Sequence, residues 1–259
     1  MTSTLEAAND AYSIKLTDVT KTFDDKLILD RINLPFAKDT FTSIVGPSGC
    51  GKSTLLRIVA GLTSVTDGQV DILGSSGKSG NKNFSFVFQD STLLPWRTVL
   101  KNVELPLETK RVDKKTRTER AKEALKMVGL GHVFDHYPRQ LSGGMKMRVS
   151  IARALVSEPE ILLMDEPFAA LDDLTRQKLQ EELLEIWKKK KMTVLFVTHN
   201  VFEAVFLSQQ IVVMKANPGQ IAEIVHIEAK GERDESFRTD PQFSQYLSHV
   251  TGLIHRGIH

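Results

Sequence analysis

Short apolar runs alternate along the chain with longer segments in which apolar side chains recur at helical spacing. Runs of strand length occur at Phe41–Val45, Ile161–Met164 and Thr193–Val197. Helical spacing follows the second of them, where Leu179 and Leu183 fall on one face. Because strands and helices that alternate in this way build sheets covered by helices, the pattern predicts an α/β fold.

Other segments suggest how the chain is divided. A helical stretch from about 90 to 158 interrupts the strands and has the appearance of an insertion. Asp240-Pro241 is a typical helix start, and apolar positions at helical spacing follow it. We therefore expect one domain over residues 1–230 that contains the insertion, and a helical tail over 231–259. The apolar face of that tail must dock either on this domain or on a partner.

Upstream of residue 41, the apolar positions predict several short strands rather than a few long ones. They group as Ile14, Leu16 and Val19, then Leu27–Leu29, then Ile32 and Leu34.

Composition excludes several classes of protein. Hydrophobic residues make up 41% of 259 residues, which is enough for a core, and the net charge of +2 gives no strong attraction to nucleic acid. No stretch reaches the roughly 20 apolar residues of a membrane span, and the N-terminus has no signal pattern. One cysteine excludes an internal disulfide. We expect a soluble, cytoplasmic protein.

A glycine-rich stretch after the first apolar run has the phosphate-loop pattern G-x-x-x-x-G-K-[ST]. Its glycines let successive backbone N–H groups point at one phosphate, and the following helix start adds positive dipole. The lysine places a cation on the β- and γ-phosphates, and the first hydroxyl can ligate Mg²⁺. We expect ATP and Mg²⁺ at this loop. Its residues are Gly46, Pro47, Ser48, Gly49, Cys50, Gly51, Lys52, Ser53 and Thr54.

Polar residues follow three other predicted strands, at the sheet edge where α/β proteins place their chemistry. Asp165 and Glu166 come after one strand, where Asp165 can hold Mg²⁺ and Glu166 can orient or deprotonate a water. Gln89 ends another. His199 follows a third, and although a lone histidine is more often structural, a γ-phosphate contact is the better interpretation at this edge.

Two signals remain ambiguous when they are taken alone. Phe23 lies in a turn-like stretch where its ring could stack on adenine, although a loop phenylalanine is more often a packing residue. Ser142 is a good helix N-cap, but Gly143 and Gly144 behind it cost helix stability. Close approach of a partner or a phosphate would explain these glycines, and so would an ordinary loop before a helix.

Taken together, the motifs resemble those of the nucleotide-binding subunit of an ATP-binding-cassette (ABC) transporter, over residues 12–228. The resemblance implies a P-loop NTPase core of mixed and parallel sheet, with an antiparallel β subdomain and an inserted helical subdomain. Within the family, the segment 93–107 and the LSGGM variant look most like importer ATPases for nitrate, sulfonate, taurine and related small anions. The matching motifs are 46–54, Gln89, 141–145, 161–167, 169–172 and His199.

The resemblance also implies roles and partners. Two copies would pair head to tail, so that Ser142 and Gly144 of one close on the γ-phosphate held by Lys52 of the other. Phe23 would stack on adenine, and Asp172 would run along the dimer seam. Gln89 would contact Mg²⁺ and the lytic water.

The segment after Gln89 would accept a cytoplasmic helix of a permease, with Trp96 as a candidate contact. The expected partners are thus a permease, a solute-binding protein and a second ATPase subunit, with the chain peripheral on the cytoplasmic face of the membrane and no nucleic acid bound.

Alternatives stay open at this point. They are a soluble ABC ATPase without a transport role, a degenerate cassette that only senses nucleotide, and a transporter ATPase for another cargo such as a lipid or lipoprotein. Intact Lys52, Asp165, Glu166 and His199 argue against the degenerate cassette. The sequence leaves the cargo undetermined, and a homodimer is not distinguished from a heterodimer. Because Cys50 lies inside the loop, we predict that a thiol reagent that modifies it blocks ATP binding.

Overall fold

The computed structural model describes residues 12–72, 84–229 and 231–256, together with the backbone of residues 75 and 76. The chain divides into two compact units. The first comprises residues 1–82 and 191–259, and the second comprises residues 83–190. Each unit is described by itself.

The described residues form ten strands and eight α-helices, together with one short 3₁₀ turn at Pro138–Gln140. The strands are β1 (Tyr12–Phe23), β2 (Lys26–Ala37), β3 (Phe41–Val45), β4 (Asp67–Ile72), β5 (Ser75–Ser76), β6 (Phe84–Val87), β7 (Ile161–Asp165), β8 (Thr193–Val197), β9 (Gln210–Lys215) and β10 (Gln220–His226). The helices are α1 (Lys52–Val59), α2 (Val99–Thr109), α3 (Lys114–Met127), α4 (Gly143–Leu155), α5 (Asp173–Lys190), α6 (Val201–Leu207), α7 (Glu235–Thr239) and α8 (Pro241–Arg256).

An antiparallel sheet in the first unit contains β1, β2 and β4, with β5 at its edge. A two-residue turn at Asp24-Asp25 joins β1 to β2, and both residues have positive φ, 44° and 63°. A tight turn with two left-handed residues matches the twist of the strands that it joins. The prediction of two short strands at 27–29 and 32–34 is wrong, because β2 is continuous. Arg31, with φ 44°, interrupts the alternation of apolar positions inside it.

A mixed sheet in the first unit places β3 between β8 and β9, both parallel to it, with β10 antiparallel to β9. All five residues of β3 are buried, as expected of a parallel strand covered on both faces. Ile44 lies opposite Val197, and the Thr198 N–H donates to the Ile44 carbonyl oxygen at 3.3 Å. The carboxyl ends of β3 and β8 therefore lie side by side.

The second unit pairs β6 with β7 in parallel and packs helices α2, α3 and α4 on one another. Two buried polar residues of α2 hold this helical part. Asn102 accepts from the Leu94 N–H at 2.7 Å, and Glu104 accepts from Lys101 and Thr118, both at 2.7 Å. The predicted α/β fold with an antiparallel β part and a helical part is confirmed.

The C-terminal helices dock on the first unit itself. Phe243 of α8 is buried and packs edge-on against Phe202 of α6 and Phe237 of α7, with ring centroids 4.8 and 5.2 Å apart. The predicted helix start at Asp240-Pro241 is confirmed, and the apolar face of the tail is covered by its own chain. No helix in the described part of the chain is long and apolar enough to cross a membrane.

Candidate functional site

The phosphate loop connects β3 to α1, and packing around it requires glycine at two positions. Gly46 has φ 157°, and a Cβ there would lie 2.5 Å from the Met214 carbonyl oxygen. Gly51 has φ 92° and would meet the Leu29 side chain at 2.6 Å. Larger residues at these positions would clash with β9 and β2, so the loop is closely fitted to the sheet beneath it.

Lys52 begins α1 and turns its ammonium group back over the loop. Its Nζ donates to the carbonyl oxygens of Gly46 and Pro47, both at 2.9 Å, and the residue is only 7% exposed. A buried cation at a helix N-terminus, next to backbone N–H groups, is a strong attractor for a polyanion. This arrangement can bind the phosphates of a nucleotide.

Cys50 faces the inside of the loop. It is fully buried, and its Sγ lies 3.8 Å from Lys52 Nζ. Burial raises the pKa of the Cys50 thiol, while the charge of Lys52 acts in the opposite direction. A side chain on Gly219 would overlap the Cys50 carbonyl oxygen, so the 217–219 turn closes the loop from behind. A thiol reagent can therefore reach Cys50 Sγ only when the loop opens.

The turn that carries His199 lies at the same edge of the sheet as the phosphate loop, because it follows β8 and the loop follows β3. His199 is exposed, and the residues beside it are held firmly. Thr198 Oγ1 donates to Glu203 Oε2 at 2.6 Å. Asn200 caps α6 by accepting from the N–H groups of Phe202 and Glu203, at 2.9 and 3.3 Å.

Phe23 ends β1 beside the two-residue turn, and its ring is 46% exposed. Lys21, a buried residue, places its Nζ 4.5 Å from the centroid of this ring. The ring is therefore outside the core, which weakens the interpretation of Phe23 as a packing residue. An exposed aromatic face backed by a cation can stack on a flat heterocycle.

In the second unit, β6 and β7 run in parallel, with Val87 opposite Met164. Gln89 follows β6, Asp165 is the last residue of β7, and Glu166 follows it. Asp165 is 7% exposed, whereas Gln89 is exposed. Glu166 has a left-handed backbone, with φ 46°. For a residue other than glycine this conformation costs about 1–3 kcal/mol, and such strain concentrates at functional sites.

The two glycines that follow Ser142 at the start of α4 differ in their surroundings. Ser142 is the N-cap, as predicted, and its Oγ accepts from the Met145 N–H at 3.3 Å. A Cβ on Gly144 would lie 2.7 Å from Thr175 Cγ2, so packing against α5 accounts for that glycine. A Cβ on Gly143 would meet nothing within 4 Å among the described residues. Packing among the described residues therefore gives no reason for glycine at position 143, and close approach of a group from outside the chain would give one.

Asp172 has a role that the sequence did not reveal. Its carboxylate accepts from the Thr175 N–H at 3.0 Å and so caps α5, and this hydrogen bond lowers the pKa of Asp172. Arg176 braces the same turn, because its Nη1 pairs with Asp173 at 2.6 Å and its Nη2 donates to the Leu171 carbonyl oxygen at 2.7 Å.

Arg153 is a residue that sequence reasoning missed. From the last turn of α4 it donates to the carbonyl oxygens of Ser91 and Thr92, both at 2.9 Å. Burial lowers the pKa of this guanidinium group. Arg153 thereby holds the segment that follows Gln89. An arginine late in an amphipathic helix is usually solvated, so the sequence offered no signal.

The chemistry of the predicted Mg²⁺ ligands is uniform. Ser53, Gln89 and Asp165 would supply a hydroxyl, an amide and a carboxylate oxygen, which suit a hard cation. The described residues contain no cluster of three or more His, Cys, Asp or Glu that could hold a metal by itself. Oxygen donors of these kinds suit an ion that shares its shell with phosphate oxygens and water, as Mg²⁺ does in nucleotide sites.

Comparison with known proteins gives consistent results. A family described as "ABC transporter" matches residues 29–169. An uncharacterized ABC transporter ATP-binding protein of Methanocaldococcus jannaschii is 51% identical over 93% of this chain and 91% of its own length. An aliphatic sulfonates import ATP-binding protein of Bacillus subtilis (strain 168) is 46% identical over 86% of this chain and 85% of its own length.

Solved structures match as well. One, titled as the dimeric structure of a bacterial ABC transporter cassette, is 37% identical with a TM-score of 0.75, and the match covers 83% of this chain and 99% of that one. A second, titled as a post-hydrolysis state bound to ADP and Pi, is 36% identical with a TM-score of 0.74 at the same coverage.

Proposed function

We propose that this chain, which belongs to the ABC transporter family and is an ATP-binding-cassette ATPase, hydrolyses MgATP to energise uptake of a small organic or inorganic anion through a separate permease. The observation that carries the ATPase chemistry is the buried Lys52 ammonium in its glycine loop, at the edge of the sheet that also carries His199. The importer role is supported by 46% identity to an aliphatic sulfonates import protein.

The phosphate loop would hold the nucleotide. Its backbone N–H groups and Lys52 would bind the β- and γ-phosphates, and Phe23 would stack on the adenine with its exposed ring. Ser53, Gln89 and Asp165 would ligate Mg²⁺, which supplies neutralisation of phosphate charge. The lysine is already held in the loop by two carbonyl oxygens, so little reorganisation is needed to bind an anion.

Hydrolysis would depend mainly on positioning. A water attacks the γ-phosphorus, its proton passes to the Glu166 carboxylate, and the bond to the ADP oxygen breaks. His199 would contact the γ-phosphate and Gln89 would orient the water. The position of Glu166 directly after Asp165, at the carboxyl end of β7, supports this role.

A second copy of the cassette would complete the site. Ser142, Gly143 and Gly144 would approach the γ-phosphate bound by the partner, and Asp172 would lie along the seam. Gly143 supports this proposal, since nothing among the described residues requires glycine there. The matching solved cassettes are titled as dimeric or as bound to ADP and Pi.

The permease would dock on the segment after Gln89. Trp96 is 72% exposed, and the loop that presents it is fixed by Asn102, which donates to the Leu94, Arg97 and Thr98 carbonyl oxygens at 3.0–3.1 Å. A rigid loop with an exposed aromatic is typical of an interface anchor. Through the permease the chain would work with a solute-binding protein, peripheral on the cytoplasmic face of the membrane.

The test combines turnover with capture. Purified Glu166→Gln protein is expected to bind ATP and to hydrolyse it at least about 100-fold more slowly than the wild type. The same variant with ATP is then used to isolate partners from native membranes. Co-purification of an integral permease supports the transport role, and the binding protein that accompanies it identifies the cargo as an anion, a lipid or another class. Recovery of soluble or ribosomal partners alone would refute the importer, and wild-type turnover would refute the role of Glu166.

A further inference from the structure

The C-terminal tail makes a concentrated set of contacts with the end of α6. The guanidinium group of Arg233 donates to the carbonyl oxygens of Val205 and Phe206, both at 3.1 Å, and to that of Ile227 at 2.9 Å. Burial lowers the pKa of Arg233 to about 10, so the group remains charged at neutral pH. A cation at the carboxyl end of a helix also complements the helix dipole.

Aromatic contacts extend this junction. Arg238 lies 3.9 Å from the Phe206 ring centroid, and Phe243 packs edge-on against Phe202. Because both phenylalanines that receive these contacts belong to α6, the tail holds the helix along its length and at its carboxyl end. A guanidinium over an aromatic face is attracted by the ring, so the tail is attached to α6 through Arg238 as well as through Arg233.

The other end of α6 is joined to the turn that carries His199. Glu203, a buried residue of α6, accepts from Thr198 Oγ1 at 2.6 Å, and the Asn200 N–H donates to the same hydroxyl at 3.0 Å. Thr198 and Asn200 flank His199 directly. The helix has seven residues and spans only about 10 Å, so a shift of its carboxyl end is transmitted to this turn.

We propose that Arg233 is a positioning residue for His199: it fixes the carboxyl end of α6, and through Glu203 and Thr198 this sets where the His199 side chain stands at the phosphate site. Arg233 then contributes to hydrolysis without touching the nucleotide. This inference rests on the proposed function, because it takes the γ-phosphate contact of His199 as given.

The first experiment separates positioning from mere stabilisation. In the full-length protein, Arg233→Met is expected to lower kcat about tenfold, with the Kd of ATP changed less than about twofold, at a temperature well below its unfolding midpoint. Arg233→Lys keeps the charge but loses the guanidinium fork that reaches three carbonyl oxygens. Its kcat should therefore lie between those of the wild type and Arg233→Met. If Arg233→Met lowers only the unfolding midpoint, the role is structural and the inference is wrong.

His249→Ala is the matched control. It also removes a contact between the tail and the body, the pair from His249 Nε2 to Glu223 Oε1 at 2.8 Å, but that contact is exposed and goes to β10 rather than to α6. Its kcat should equal that of the wild type. A loss of kcat as large as that of Arg233→Met would mean that any loosening of the tail matters, which would overturn the specific role of Arg233.

A double-mutant cycle tests the route. If Arg233 acts through His199, then Arg233→Met should have no further effect on the residual rate of His199→Ala. Independent, additive losses would contradict the inference. Hydrogen exchange gives a readout without turnover: amides of residues 198–203 should exchange faster in Arg233→Met than in His249→Ala. Equal exchange in the two variants would likewise contradict it.

The two proposals fail in different ways. If the wild-type protein does not hydrolyse ATP, or Glu166→Gln retains full turnover, the proposed function fails. If the wild type hydrolyses ATP and Glu166→Gln does not, but Arg233→Met keeps the wild-type kcat and exchange, only the inference about Arg233 fails.

Discussion

The phosphate loop and the start of α4 both use closely spaced glycines before a helix, but they differ in how far the chain itself explains them. At the loop, Gly46 and Gly51 are both required by neighbouring strands, and the Lys52 ammonium is held by two carbonyl oxygens. At α4, packing accounts for Gly144 only. Packing accounts for Gly46 and Gly51 and a positive φ of 78° accounts for Gly49, whereas Gly143 has neither reason inside the described chain.

Removing the loop cation should have the largest effect. Lys52→Met keeps most of the side-chain volume but leaves the phosphates without their buried positive charge, so we expect kcat/KM for ATP to fall about 100-fold or more. The fold should survive, since the ammonium contacts groups of the loop itself, namely two carbonyl oxygens and the Cys50 thiol. A malachite-green phosphate assay measures the loss, with circular dichroism as the control. Near wild-type turnover would show that the loop is not the catalytic one.

The loop after Gln89 offers a contrast between a buried and an exposed residue. Asn102→Ala should lower the free energy of unfolding by about 2–3 kcal/mol, because the Leu94 N–H and three carbonyl oxygens lose a buried partner. Trp96→Ala should change it by less than about 0.5 kcal/mol, because the indole is exposed. Urea denaturation measures both. The order would be reversed if Trp96 were part of the core.

The two glycines of α4 should respond in opposite directions. Gly143→Ala has open space and should stabilise the fold by about 0.5–1 kcal/mol through helix propensity. Gly144→Ala should destabilise it, because its Cβ would meet Thr175 Cγ2.

Thr175→Ser, which lacks that methyl group, should restore the stability of Gly144→Ala. If a partner phosphate approaches Gly143, the stabilised Gly143→Ala protein should nevertheless hydrolyse ATP about tenfold more slowly. Full activity of Gly143→Ala would contradict the proposal that a partner's phosphate approaches Gly143.

Cys50 can be tested by its reaction rate, without a substitution. Because burial raises its pKa, the thiolate fraction at pH 7 is lower than for a free cysteine, and alkylation should become faster as the pH rises beyond the usual thiol range. At pH 7, native protein should react at least about tenfold more slowly than urea-unfolded protein. Mass spectrometry follows the single thiol. Equal rates would contradict the buried position, and full ATP binding by alkylated protein would refute the prediction that modification blocks the loop.

Local patterns predicted what depends on local structure. The apolar runs gave β3, β7 and β8, and the glycine motif gave the phosphate loop between β3 and α1. The continuous β2 was missed because Arg31 breaks its alternation with a left-handed residue. Helix capping is also a local feature, yet the sequence analysis did not predict that Asp172 caps α5.

Long-range contacts could not be predicted. Arg153 reaches Ser91 across 62 positions, and Arg233 reaches Val205 across 28. Nothing in the spacing of a single arginine indicates which distant carbonyl oxygens it will contact. The same holds for the docking of α8, whose apolar face was evident while its acceptor surface on α6 was not.

The left-handed backbone of Glu166 has a consequence for the divergence of such chains. Glycine, and to a lesser degree asparagine, adopts this conformation without the steric cost of about 1–3 kcal/mol that glutamate bears. The backbone conformation of this turn therefore disfavours glutamate, the residue proposed for hydrolysis. In a duplicated copy released from selection for turnover, mutation at position 166 would be favoured by folding itself, so the carboxylate would be among the first residues lost and a nucleotide sensor the nearest descendant.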